Sequence, residues 1–189
     1  MTAPVGTKAF ASKTSKSFEY GMVNFIEVIY NKYFDKNKWS YCYNKLGQKN
    51  PLTAMSISNI VNNNCLAYKK NGESSKVVFD FIFYYDNKPA IIGSIKFQYS
   101  RQNAVERVLR DLELTRCLGL PESNFIAIFG GLGFLLNENR HIQQSTGSLI
   151  EILRDVGVPI LIHNGNNKWR SDIESAILNA KLKIENKYQ

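Results

Sequence analysis

Residues 77–97 read Val-Val-Phe-Asp-Phe-Ile-Phe-Tyr-Tyr-Asp-Asn-Lys-Pro-Ala-Ile-Ile-Gly-Ser-Ile-Lys-Phe. Two β-branched and aromatic runs, Val77 to Tyr85 and Ala90 to Phe97, flank Asp86-Asn87-Lys88-Pro89, whose residue types break a strand. The spacing predicts a β-hairpin with Asp80 inside its first strand and Ser94 and Lys96 in its second. Strand side chains alternate, so Ser94 and Lys96 project to one face, a pleat apart. A carboxylate among so many apolar side chains needs a partner, because burying it unpaired is strongly unfavourable. A cross-hairpin pair with Lys96 is the plain structural explanation of Asp80.

Working outward, Val105, Val108, Leu109, Leu112 and Arg116 share one helical stripe from Gln102 to Leu118, with Gly119 and Pro121 as the stop. Upstream, Phe18, Met22, Phe25, Ile26, Ile29, Tyr30 and Tyr33 mark an amphipathic helix from Ser17 to Tyr33. Residues 35–53 read as loop with a short strand at Trp39 to Tyr43, and Ser56 to Tyr68 as a helix weakened by Asn62-Asn63-Asn64. Downstream, strands are expected at Phe125 to Phe129 and Val158 to His163, and helices at Ser148 to Val156 and Lys168 to Ile184. Gly130 to Gly133 and Asn164 to Asn167 read as turns. This alternation favours an α/β fold, a mixed β-sheet flanked by helices on both faces. Residues 1–16 are expected to form a flexible arm and residues 17–189 a single domain.

The chain has 189 residues, and 24 Lys plus Arg against 16 Asp plus Glu leave it at +8, a balance that points to a polyanion as partner. With 44% apolar and 12% aromatic residues, wholesale disorder is excluded. Apolar stretches such as Phe125 to Gly133 fall short of the roughly 20 residues a bilayer-crossing helix needs. No continuous apolar block follows the scattered N-terminal lysines, so no secretory signal is expected. The cysteines, Cys42, Cys65 and Cys117, are widely spaced and odd in number, which fits buried thiols in a reducing cytoplasm and no zinc site. With His141 and His163 as the only histidines, a His-rich metal centre is excluded and a Ser/His/Asp triad disfavoured. Hydrolytic chemistry would have to use carboxylates, lysine and a hard cation.

Phe79-Asp80-Phe81, the Asp86 to Pro89 turn, and Ala90-Ile91-Ile92-Gly93-Ser94-Ile95-Lys96 together resemble the core of the PD-(D/E)xK superfamily, the restriction-endonuclease-like nucleases. The order of helix, acid-bearing hairpin, helix and strand over about residues 15–130 is similar too. Two positions depart from the family pattern: Phe79 stands where proline is usual, and Ser94 replaces the acid of the (D/E)xK pair. The second change removes a metal ligand. A subgroup of restriction enzymes shows a similar Ser-x-Lys arrangement and recruits its missing glutamate from the following helix, about a dozen residues after the lysine. Leu109 and Arg110 occupy the directly matching positions here, so Glu106 or Glu113, a helical turn to either side, is expected to take the role, with Glu106 preferred as nearer Lys96. Asp111 falls on the opposite flank in this reading. Glu19 matches a glutamate that many members of the superfamily carry on the first helix to assist the metal site.

The resemblance implies a Mg²⁺-dependent DNA endonuclease of restriction-endonuclease-like fold, most simply a type II restriction enzyme. Asp80, Ser94, Lys96 and Glu106 would be its catalytic residues, and Asp80, Glu106, Glu19 and Glu113 its candidate metal ligands. Mg²⁺ would polarise the phosphate, Lys96 would orient or deprotonate the attacking water, and Ser94 would hydrogen-bond a water or phosphate. Gln98, Ser100, Arg101, Gln102, Asn103 and Arg107 form a polar cluster suited to base edges and phosphates. Lys36, Lys38, Trp39, Lys45, Lys49, Lys69 and Lys70 are further phosphate-contact candidates. Cutting both strands of double-stranded DNA at a palindrome would call for a homodimer, with a companion DNA methyltransferase acting on the same site. The alternatives are a structure-selective junction nuclease of the same superfamily and a catalytically degenerate DNA-binding module.

Overall fold

The computed structural model describes residues 8–43, 54–56, 76–97, 102–130, 151–162 and 168–188, with side chains for 16–43, 79–96, 106–130, 151–161 and 168–188. Helix α1 (Lys8–Tyr33) leads into strand β1 (Trp39–Tyr43), and the short strands β2 (Ala54–Ser56) and β3 (Lys76–Val78) follow. The hairpin strands β4 (Phe81–Tyr85) and β5 (Lys88–Phe97) precede helix α2 (Gln102–Cys117). A 3₁₀ turn at Glu122–Asn124 opens β6 (Phe125–Gly130), and β7 (Ile160–Ile162) and helix α3 (Lys168–Lys187) complete the order.

Five strands form one mixed sheet in the order β1-β4-β5-β6-β7, and β2 pairs with β3 in a separate two-stranded sheet. The β1/β4 and β4/β5 pairs are antiparallel, whereas β5/β6 and β6/β7 are parallel. Strand β6 lies between two neighbours under helices, and all of its residues are buried. That explains a continuous apolar run in place of alternation.

Alternation along the strands divides the core in two. On one face Phe81, Phe83, Ile91, Ile95, Ile126 and Ile128 pack against Met22, Ile26 and Ile29 of α1 and Ile173 and Ile177 of α3. On the other, Ile82, Ile92, Phe125, Ala127 and Phe129 pack against Val108 and Leu112 of α2, with Leu153 and Val158. Helices therefore cover both faces. The spacing of Met22, Ile26 and Ile29, and of Ile173, Ile177, Ala180 and Ile184, is the three-and-four step of a half-buried helix. Trp39 ties the layers together: its ring is 1% exposed and its Nε1–H donates to Glu185 of α3 at 3.0 Å.

The turn between β4 and β5 is tighter than a generic break. Tyr85 pairs with Lys88, and Asp86 and Asn87 take φ of 46° and 63°, the two left-handed positions of a type I′ hairpin. Helix α2 stops where expected: Gly119 has φ 75° and its N–H donates to Arg116 O at 2.9 Å.

Five expectations change. Helix α1 begins at Lys8, so residues 8–16, read as an arm, extend it. Asp80 is not inside a strand, because the first run splits into β3 and β4 with Phe79 and Asp80 at the joint between the two sheets. Cys117 is disulfide-bonded, whereas Cys42 is the buried free thiol that was expected. Trp39 lies in the core and is not a phosphate contact. Ser56 starts no helix but closes β2, and the rest of the helix read to Tyr68, together with Ser148 to Ile150, both histidines, and Lys45, Lys49, Lys69 and Lys70, lies outside the described residues. Among the described residues no helix is long and apolar enough to cross a membrane.

Candidate active site

The position of Asp80 follows from where a ladder ends. Pairing of β4 with β5 terminates at Phe81 and Gly93, so the amide of Ile95, two residues further on, has no strand partner on that side. The Asp80 carboxylate accepts this N–H at 2.6 Å from Oδ2. The same oxygen accepts from Lys96 Nζ at 2.8 Å, and the Ser94 hydroxyl stands 3.4 Å from it. The expectation that Asp80 and Lys96 meet at one spot holds, and Ser94 and Lys96 share the α2 face of the sheet as their alternation requires.

The second carboxylate at this spot is Asp111. Ser94 Oγ donates to Asp111 Oδ2 at 3.0 Å, so one hydroxyl touches both acids. Ser94 is fully buried and Asp111 is 3% exposed. Arg110 closes the outer side, with its Nη2–H donating to Asp111 Oδ1 at 3.1 Å while about half of its own side chain remains exposed.

The α2 acid that touches Ser94 is thus Asp111, where Glu106 or Glu113 was expected. Glu106 and Glu113 are both exposed on the outer surface of the helix, and Glu113 is engaged by Arg116 at 2.5 Å. The physical reason is the phase of α2. Its buried face runs through Val108, Asp111, Leu112 and Thr115, not through a stripe ending at Arg116. Asp111 stands within that apolar stripe at helical spacing from Val108 and Thr115, which is the signal that could have found it.

Burial sets the electrostatics. Desolvation pushes the Asp111 carboxyl above the ordinary aspartate range; Lys96 and Arg110 pull it back in part, and Asp80 adds to the rise. Burial by itself would lower the Lys96 ammonium, but Asp80, Asp111 and Glu19 together outweigh it and hold the group above the ordinary lysine value. Lys96 is therefore a cation and a donor at neutral pH in the metal-free protein. Glu19 lies close enough on α1 to act on that charge. The close approach of α1 is allowed by Gly130, where a Cβ would lie 2.2 Å from the Phe18 ring.

The donor set suits a hard cation. All donors to Asp80 reach Oδ2, and among the described residues none reaches Oδ1. The carbonyl of Ile95, which accepts from Lys96 Nζ at 3.2 Å, and the Asp111 carboxylate, which acts on the same ammonium, are further oxygens at this spot. Lys96 and Arg110 already offset the charge of Asp80 and Asp111, so what the cluster offers a cation is its oxygen atoms. Among the described residues no three His, Cys, Asp or Glu side chains group tightly enough to hold a metal by themselves. Two carboxylates and a carbonyl, completed by water and phosphate, match the way Mg²⁺ is usually held.

Of the residues expected to contact DNA, Arg107 is exposed on α2. Gln98, Ser100 and Arg101 lie outside the described residues, as do the side chains of Gln102 and Asn103. No protein-family model matches the chain, and neither a curated protein nor a solved structure matches it significantly.

Proposed function

We propose that the chain is a Mg²⁺-dependent endonuclease of restriction-endonuclease-like fold that hydrolyses phosphodiester bonds in double-stranded DNA at specific sites. The observation that carries this reading is the contact of Lys96 Nζ and the Ile95 amide with Asp80 Oδ2, beside a second buried carboxylate, Asp111. The order of helix, antiparallel strands bearing the acid and the lysine, helix and parallel strand supports the same core. The excess of eight positive charges suits a polyanionic substrate.

In this reading Asp80, Asp111 and the Ile95 carbonyl would hold the ion, and Asp111 would take the place of the missing acid of the (D/E)xK pair. Bound Mg²⁺ supplies charge compensation at the scissile phosphate and a water acidified toward neutral pH. Lys96, an ammonium in the metal-free site, orients the attacking water and stabilises charge on the phosphate oxygens. Ser94 positions both carboxylates through its hydroxyl. Because it is fully buried, it is not an accessible nucleophile, which disfavours a serine-hydrolase reading of the same cluster. Two chains related by a two-fold axis would cut both strands of a palindrome.

The test is digestion of DNA of known sequence with Mg²⁺, followed by sequencing of the ends. Discrete fragments with one common end sequence support the reading. Cutting confined to four-way junctions supports a structure-selective nuclease, and no cutting with any divalent ion supports a degenerate binding module.

A further inference from the structure

A cleft of about 370 Å³ opens at the other end of β5, eight residues and about 26 Å along the strand from Lys96. Its mouth is set by Lys88 from the hairpin and by Lys183 and Lys187 from the last turns of α3. All three are exposed, and among the described residues none is in an ion pair. Glu185, the nearest acid along α3, is taken by Lys181 and Trp39, and among the described residues no carboxylate lines the cleft. Three ammonium groups around one opening repel each other, and a bound anion relieves that repulsion.

The interior has a different character. Leu118, Leu120 and Pro121 form one wall, and Tyr85 and Tyr188, stacked with ring centroids 5.5 Å apart, form another. Asn124 lines the cleft with 5% exposure; its Nδ2–H donates to Ala90 O at 2.9 Å. Among the described residues its amide oxygen has only the Ser123 hydroxyl at 3.5 Å, longer than a normal O–H···O bond. A buried acceptor is thus open to a donor on a ligand.

Cations at the rim, flat aromatic and apolar walls, and one buried amide acceptor describe a ligand with an anionic group, a planar ring and a ring-borne N–H. We infer that this cleft binds a nucleoside monophosphate, at a site separate from the Asp80 and Lys96 cluster and independent of the activity proposed for it. Phosphate would meet the lysines, and the base would enter between the tyrosine and leucine walls toward Asn124.

Calorimetric titration of the full chain with AMP, GMP, CMP and UMP tests this, with inorganic phosphate and adenosine as part-ligand probes. At least one monophosphate should saturate a single site, with both part-ligands weaker by at least about tenfold. K183E/K187E, on exposed positions, should weaken binding by at least about tenfold, as should Leu120→Trp, which fills the cleft and leaves its charge unchanged. Saturation by none of the four monophosphates overturns the inference. So does phosphate binding as tightly as all four, undiminished binding in both variants, or loss of DNA affinity in K183E/K187E without nucleotide binding in the parent.

Discussion

The hydroxyl of Ser94 on β5 hydrogen-bonds Oδ2 of Asp111 on α2 at 3.0 Å, and this contact brings the second acid of the site in from the helix. Under the proposed function, it is how two carboxylates could be presented to one ion, with the Ser94 hydroxyl touching both Asp80 and Asp111.

Asp111→Asn should abolish Mg²⁺-dependent cleavage, while Glu106→Gln and Glu113→Gln, on the exposed side of α2, should cut within about threefold of the parent rate. Initial rates on plasmid DNA decide between the three. A large loss confined to Glu106→Gln would move the ligand back to that residue.

The same substitution has a stability signature. Asp111 is an acid whose folded pKa is raised, so its contribution to folding is complete below the ordinary aspartate pKa and is lost as pH climbs through the raised value. At pH 7 the ionised group therefore opposes folding of the metal-free protein. Asp111→Asn should raise Tm there by a few degrees, roughly 1 kcal/mol, and the gap to the parent should narrow at acid pH. Mg²⁺ should raise the Tm of the parent but not of Asp111→Asn. Thermal scans across pH, with and without Mg²⁺, read both effects.

Gly93→Ala should destabilise the sheet where it presents Ser94. A Cβ at Gly93 would lie 1.9 Å from the Phe81 ring, which is fully buried and has little room to move. Overpacking of this kind costs about 1 to 3 kcal/mol, measurable as a lower urea midpoint. An unchanged midpoint would mean that Phe81 does not cover Gly93 in solution.

DNA binding should weaken by at least about tenfold between about 50 and about 200 mM salt, since each neutralised phosphate releases counterions with a log–log slope near −0.9. Fluorescence anisotropy of a labelled duplex measures it. A flat response would count against DNA as the partner.

The hairpin, the helices around it and the buried strand from Phe125 were legible because each carries a strong local pattern and a turn signal: Asp86-Asn87 and Gly119 take the left-handed conformations their residue types favour. The meeting of Asp80 with Lys96 was legible from chemistry alone, since a carboxylate among apolar side chains needs a partner; strict alternation from the two-residue turn would set Asp80 opposite Gly93, and the register shift between Phe83 and Tyr84 brings it to the Ser94 and Lys96 side. Asp111 was not, because its burial depends on the rotational phase of α2 against the sheet, and the apolar residues of that helix allow two adjacent stripes. The split of the first run at Phe79 and Asp80 was also hidden: Val77 to Tyr85 has uniform strand propensity, and the break reflects the exchange of one sheet partner for another.

Whether Asp80, Lys96 and Asp111 form a metal-dependent phosphodiesterase centre is decided by the rate of plasmid cleavage by the parent and by Lys96→Ala, in Mg²⁺ and in EDTA. The parent should cut in Mg²⁺ alone, and Lys96→Ala should lose about a hundredfold or more in rate with DNA affinity retained. Cleavage by Lys96→Ala at the parent rate, or undiminished parent cleavage in EDTA, would contradict such a centre.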